Sequence, residues 1–400
     1  MPSRARNVLL GLFGALIPVM LVAGIWIGGH PSTLPSPLRS VFVDEKTRTL
    51  EEALDIIEDD YYRRVDRDRL VDDGLKGTVG KLNDRFSAYL DPKEYDRFQD
   101  ASSGNFSGIG LEVAQIPQGL RVAKVFPGTP AARAGFRKDD RIVAVNGRSI
   151  AGKPSSVSTQ LIRGKPGTFV SLTVVSGARR SVKRVARAIV ESPAVTAAIR
   201  KVRGVPFGVV TLASFSAGAH GELRAAIDRQ LKAGAKGIVL DLRGNGGGLL
   251  TESVLVASIF IPDGKIVTTR GRSKPEKVYS ATGSAIDRRI PVIVLVDDTS
   301  ASASEIVTGA LQDRGRAKIV GTNTFGKGVF QEVRELPNGG ALDITVGEYF
   351  LPSGRNIGGG GPKRGKGISP DVRARDRVGT PADEALDVAL AQIARVVVTR

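Results

Sequence analysis

Cysteine is absent from the chain, and histidine occurs only twice, as His30 and His220. Without thiols there is no disulfide framework and no thiolate nucleophile, and two imidazoles alone cannot furnish a Cys/His zinc or iron site. A Ser-His-Asp arrangement would have to use His220, because His30 abuts an apolar N-terminal stretch. A serine nucleophile in this chain therefore calls for another base, and lysine is the obvious candidate. Aromatic residues are scarce, at 5%, and acids are outnumbered: 58 Lys and Arg against 41 Asp and Glu leave a net charge of +17. The basic excess gathers at Arg179, Arg180, Lys183, Arg184 and Arg187 and again from Lys363 to Arg377. No aromatic side chains interleave with either cluster as base-stacking platforms require, so no nucleic-acid partner is expected and the charge reads as a solvated surface. Anionic lipid or an envelope polymer is the weaker alternative reading of that charge.

One long uncharged run is present. From Val8 to Gly29 the chain is apolar throughout, enough for about 33 Å of helix at 1.5 Å per residue and so for one crossing of a bilayer. Arg4 and Arg6 precede it, which places the N-terminus in the cytoplasm and the rest of the chain outside. Residues 1–30 are read as a basic start and a retained single-pass anchor, in preference to a signal peptide cleaved to give a secreted or periplasmic protein, since no clear Ala-x-Ala site follows. The Pro/Ser-rich residues 31–43 read as a spacer.

Beyond the spacer, Leu50, Ala53, Leu54 and Ile57 recur at helical spacing among acids, and residues 44–98 are expected to form a small helical region. In it Asp91-Pro92 should break one helix before Glu94 and Tyr95 start another. Residues 99–190 change to short β-branched runs between Gly and Pro turns, with one helix expected among them. From 191 to 400 near-continuous apolar strands, Gly237–Leu242, Val292–Val296 and Ala317–Val320, alternate with helical patterns. That alternation argues an α/β core whose sheet is buried on both faces, with a last helix carrying Leu386, Leu390, Ile393 and Val397 on one stripe. The fold class is thus α/β and multidomain.

Ser107–Val113, then Pro127–Phe136 with its Pro-Ala-x-x-Ala-Gly, then Asp140–Gly147 together resemble the PDZ domain family. The resemblance implies that backbone amides of Gly108, Ile109, Gly110 and Leu111 hold a peptide's terminal carboxylate while the peptide adds a strand to the domain. Where that family usually has glycine before the aspartate, this chain has Lys138-Asp139.

Three segments follow core strands, and function should lie there. They are Asp241-Leu242-Arg243-Gly244-Asn245-Gly246-Gly247-Gly248, Ser300-Ala301-Ser302-Ala303-Ser304-Glu305, and Gly321–Gln331 with its Gly326-Lys327-Gly328. A serine at a helix start sits where the next amide can donate to an oxyanion, and a lysine between glycines can be threaded close to it, acting as base if burial keeps it neutral. The bland alternatives are serines that merely cap a helix and a phosphate-binding glycine turn. A P-loop does not fit, because Gly328 stands where Ser or Thr is required.

In this order, and with the PDZ-like module upstream, these segments resemble the C-terminal processing peptidases, or tail-specific proteases, from about residue 44 to Asp371. The resemblance implies Ser302 as nucleophile, Lys327 as base and Gln331 as the residue that orients the lysine. It also implies oxyanion donors at Ala303 and at Gly248, with Gly247 as the near alternative, and leaves Ser300 and Ser304 as helix-start hydrogen-bonding residues. Two departures stand out: Gly246 in place of a common proline, and Arg85 at another position where proline is common, the latter expected to be remote from chemistry. The reading is a membrane-anchored serine endopeptidase without cofactor or metal, which selects protein or peptide substrates by their C-termini. A non-catalytic tail-binding scaffold of the cell envelope is the alternative, and substrate identity, an adaptor and homo-oligomer formation are left open.

Overall fold

The computed structural model describes residues 45–398 apart from 192, 378 and 381. The anchor of residues 1–30 and the spacer of 31–43 lie outside the described residues. Among the described residues no helix is long and apolar enough to cross a membrane. The chain divides into two units, residues 1–78 and 79–400. In the first, the Leu50–Ile57 periodicity is carried by α1 (Glu45–Asp60); α2 (Arg67–Gly80) follows and runs across the boundary. Arg67 ion-pairs with Asp55 and Glu58 at 2.7 and 2.9 Å.

The first strand of the second unit lies where helix was expected. β1 (Ala88–Leu90) runs antiparallel to residues 341–343, so the segment before Asp91-Pro92 belongs to a sheet. Asp91 then accepts the Glu94 N–H and Glu94 accepts the Asp91 N–H, a capping box that starts α3 (Pro92–Ser103). The helix runs past the expected end near Phe98 and stops at Gly104, whose φ of 75° closes it.

The β-rich module is built from β2 (Asn105–Gly108), β3 (Leu111–Ile116), β4 (Gly119–Val125), α4 (Pro130–Arg133), β5 (Arg141–Val145), β6 (Arg148–Ser149), α5 (Ser155–Ile162), β7 (Phe169–Ser176), β8 (Arg179–Ala186) and β9 (Ala188–Glu191). It holds two short helices where one was expected. Strands β3-β4-β5-β7-β8 form one antiparallel sheet, with β6 on β5, and β2 pairs with β9 apart from it. Period-2 patterning points Leu120, Val122, Ile142, Val170, Leu172 and Val174 into a core of its own. Asp139 takes the left-handed conformation, φ 69°, that glycine would take at this turn, and pairs with Arg121 at 2.7 Å.

The α/β core follows: β10 (Val195–Val202), β11 (Val205–Leu212), α6 (Ala219–Lys232), β12 (Ile238–Asp241), α7 (Leu250–Ser258), β13 (Lys265–Arg270), β14 (Lys277–Ser280), β15 (Val292–Val296), α8 (Ala303–Asp313), β16 (Lys318–Gly321), β17 (Val329–Glu335), β18 (Ala341–Phe350), β19 (Val372–Arg373) and α9 (Glu384–Val398). The main sheet has the order β10-β11-β12-β15-β16-β19 and is parallel from β11 onward. Alternate residues face opposite layers. Val210, Leu240 and Val294 join the core with Leu223, Val256 and Val307, whereas Val239, Ile293 and Leu295 pack with Ala389, Leu390 and Ile393 of α9. Each such fully buried side chain stabilises by about 1.5–3 kcal/mol, which is why the strands read as unbroken apolar runs. A second sheet, β1-β18-β13-β14 with β17 on β18, stands beside it. The three glycine- and serine-rich segments all begin at the carboxyl ends of β12, β15 and β16, where adjacent parallel strands bring sequence-distant loops together.

Candidate active site

Ser302 is the N-cap of α8 and holds φ 55° and ψ −113°, a conformation that non-glycine residues rarely adopt. Its flanking serines are committed elsewhere. Ser300 Oγ donates to Leu242 O at 2.8 Å and Ser304 Oγ donates to Asn245 O at 2.9 Å, both fully buried, so they stitch α8 to the glycine loop after β12. Ser302 is the half-exposed member of the three.

One buried carboxylate fixes both Ser302 and Lys327. Glu305 Oε2 accepts the Ser302 N–H and the Lys327 N–H, each at 3.0 Å, while Oε1 accepts the Gly326 N–H at 2.7 Å and Thr324 Oγ1 at 2.6 Å. Tyr349 Oη donates to Oε2 at 3.3 Å and accepts the Gly328 N–H at 3.2 Å. The amides of Gly326, Lys327 and Gly328 are therefore all occupied, which removes the phosphate-turn alternative. Gly326 and Gly328 have φ of 86° and 68°, and a Cβ on either would meet backbone at 2.6 or 2.5 Å, so only glycine lets the lysine thread between these segments.

Burial lowers the Lys327 pKa, against the opposing charges of Asp343, Glu305 and Asp84 in that order. Nζ lies 5.4 Å from the Phe86 ring centroid. Asp343 is pushed up by its own burial, with Lys327 opposing. Burial raises Asp84 too, but hydrogen bonds from Ser87 and Thr345 outweigh it and leave that carboxyl below its usual range. Gln331 lies at a bulge in the β17–β18 pairing, and its Nε2 donates to Thr345 Oγ1 at 3.0 Å; the structure does not join it to Lys327. Arg85 is not remote, as had been expected: its guanidinium lies 5.5 Å from the centroids of both Phe86 and Phe325, because β1 draws this segment onto β18 beside Lys327.

The glycine loop lies against Ser302. A Cβ at Gly247, φ 108°, would stand 2.8 Å from Ser302 Cβ and 3.0 Å from Ala303 N. Gly247 N–H donates to Asn245 Oδ1 at 2.9 Å, whereas among the described residues neither the Gly248 nor the Ala303 N–H meets an acceptor. Asn245 is itself fully buried and donates Nδ2 to Leu212 O at 2.8 Å. Arg243 anchors the start of the loop through Asp241, Asp376 and Asp383 at 2.8–3.0 Å. Its own burial works against its charge, but the bonds to Asp241 and Asp383 win and raise its pKa. His220 Nδ1 lies 2.8 Å from Glu252 Oε2, and no hydrogen bond joins it to Ser302.

A half-exposed hydroxyl at a strained helix start, a desolvated lysine fixed through the same carboxylate, and open amides nearby are the parts of an acyl-transfer site. The probable CtpA-like serine protease of Staphylococcus aureus strain COL is 36% identical over 96% of this chain and 74% of its own length. A model of peptidase family S41 matches residues 206–374. The chain belongs to peptidase family S41. A PDZ-domain model matches residues 107–185 and one of the N-terminal domain of the activating protease CtpB matches 34–94. The photosystem II D1 C-terminal processing protease, 28% identical, superposes over 87% of this chain and 98% of its own with a TM-score of 0.50. As an S41 peptidase with a PDZ domain, the protein is a C-terminal processing serine endopeptidase.

The PDZ domain of this S41 chain offers a groove of about 340 Å³ between β3 and α5, lined by Phe106, Ile109, Leu111, Phe126, Thr159 and Ile162. Gly108 and Gly110 line it too, and the N–H groups of Ile109 and Gly110 donate to nothing among the described residues. Gly110 has φ 87°, and a Cβ there would lie 2.3 Å from Thr129 Cβ, so its glycine is required by the packing behind the loop. Sequence reasoning missed Glu305, Thr324, Asn245, Asp343, Asp84 and Tyr349. Glu305 carried a signal, since Ser302-x-x-Glu305 has capping-box spacing; the others have no local signature.

Proposed function

We propose that the protein is a membrane-anchored, extracytoplasmic endopeptidase in which Ser302 Oγ attacks the scissile carbonyl and Lys327 Nζ takes its proton and later returns it to the leaving amine. The N–H groups of Ala303 and Gly248 hold the oxyanion, with Gly248 preferred over Gly247 because the Gly247 N–H is spent on Asn245. Gln331, whose amide nitrogen is held by Thr345, offers its carbonyl oxygen to the lysine ammonium. The PDZ groove selects substrates by their free C-termini. The apolar Val8–Gly29 run supports the anchor.

The observation that carries the reading is Glu305. Its carboxylate ties the backbone of nucleophile and base to one point, in surroundings that drive the lysine toward its neutral form. Cleavage of a tail peptide, followed by mass spectrometry, tests it. Ser302→Ala should abolish cleavage with tail binding retained, while Ser300→Ala and Ser304→Ala retain part of it. Lys327→Arg should be as inactive as Lys327→Ala, because a guanidinium stays protonated. Substantial activity in Lys327→Arg would remove the lysine from the role of base, and a wild-type chain that binds tails without cutting them would leave a scaffold.

A further inference from the structure

Three basic side chains, two of them permanently charged guanidiniums, meet one pair of rings at the cleavage centre. Phe86 and Phe325 pack edge to face, 6.3 Å between centroids. Lys327 Nζ lies over Phe86, the Arg85 guanidinium lies 5.5 Å from both rings, and the Arg364 guanidinium lies 4.4 Å from Phe325. Arg364 is held by a hydrogen bond, and Arg85 is carried by a fixed turn. Arg364 Nε donates to Phe325 O at 2.9 Å, and the next residue, Gly365, donates its N–H to Gly326 O at 2.8 Å. Arg85 sits in the turn where Asp84 accepts the Phe86 N–H at 2.8 Å, just before β1 enters its sheet. Neither guanidinium forms an ion pair with a carboxylate among the described residues. A ring face attracts a guanidinium without neutralising it, so both charges remain open to a third group, and the planar fork of arginine suits a carboxylate.

We propose that Arg85 and Arg364 form a carboxylate-binding subsite beside the cleavage centre, which favours substrates carrying an acidic group close to the scissile bond. This rests on the Ser302–Lys327 reading above. The carboxylate is supplied by an Asp or Glu side chain of the bound segment, or by the chain terminus when the bond cut lies near the end.

The test uses the full chain and a neutral host peptide. In one arm a single Glu or Gln is placed in turn at each position flanking the scissile bond, with the C-terminus amidated. In the other, the peptide without Glu is offered as free acid or amide. Paired peptides compete in one reaction, so the ratio of kcat/KM is independent of how much enzyme is folded. The wild type should prefer the acidic peptide, and Arg85→Ala with Arg364→Ala should reduce that preference about tenfold in the Glu arm, the terminal arm or both, identifying the source. A wild type without acidic preference, or an unchanged ratio in the double variant in both arms, overturns the subsite. If the double variant does not cleave, the same peptides are titrated against Ser302→Ala with and without the two arginine changes, where equal affinities overturn it. Cleavage by Ser302→Ala alone would instead overturn the reading of the centre.

Discussion

At Ser302 the backbone occupies a region that costs on the order of 1–3 kcal/mol, and it is kept there because Glu305 accepts its N–H while the glycine loop presses against its Cβ. Glu305→Gln replaces an acceptor with a group that also donates, among partners that nearly all donate. It should cost about 10²-fold in kcat with little change in KM, as a displaced base and nucleophile would. Steady-state kinetics check this, and a loss confined to KM would sink the positioning role. Lys327 supplies a pH prediction. In the proposed mechanism the neutral amine is the active form, so kcat/KM should rise as pH passes upward through its lowered pKa. The Asp343 carboxylate holds that pKa up; Asp343→Asn removes the negative charge, the lysine gives up its proton more readily, and the rising limb moves to lower pH. A limb that stays in place or moves to higher pH would contradict this.

Among the elements, β1 decides more than its three residues suggest. It pairs with Ala341–Asp343 at the edge of β18, and the turn before it carries Phe86 and Arg85 to Lys327. Tyr89, at its centre, is buried and accepts Asn338 Nδ2 at 2.6 Å. Gly340 marks where the strand is vulnerable: a Cβ there would stand 2.7 Å from Leu90 O and 2.7 Å from Tyr89 Oη. Gly340→Ala should therefore push β1 off β18, lowering stability by about 1–3 kcal/mol and cleavage severalfold without touching Ser302. Denaturant unfolding and turnover of one peptide measure both, and an unchanged turnover would show that the β1 segment does not shape the lysine's surroundings.

On the scale of the whole molecule, recognition and cleavage occupy separate modules, each with its own core. The open amides of Ile109 and Gly110 line the PDZ groove, so in the proposed binding mode a substrate's terminal carboxylate should contribute about 1.5–3 kcal/mol of charge-assisted hydrogen bonding. Amidating the terminus of a substrate whose cut site lies far from its end should weaken recognition roughly 10- to 100-fold, measured as kcat/KM. Gly110→Ala should give a similar loss on free-acid substrates and little further loss on amides, through its clash with Thr129. Equal cleavage of acid and amide would remove tail selection from the mechanism.

The sequence by itself determined what backbone conformation and burial depend on over a few residues. Unbroken apolar runs declared strands covered on both faces, glycine and proline turns declared the PDZ module, and the serine triplet and Gly326-Lys327-Gly328 declared where the chain turns sharply. Glu305 was legible from its spacing to Ser302, had the capping box been read there. The tertiary structure alone decided which groups share an electric field. Asp343, Asp84 and Phe86 reach Lys327 only because β1 and β17 flank β18, and Arg243 meets Asp383 only because α9 returns to the carboxyl ends of the parallel strands. No local pattern records such meetings, since a pKa is set by charges and burial within a few ångströms of space, whatever their separation along the chain.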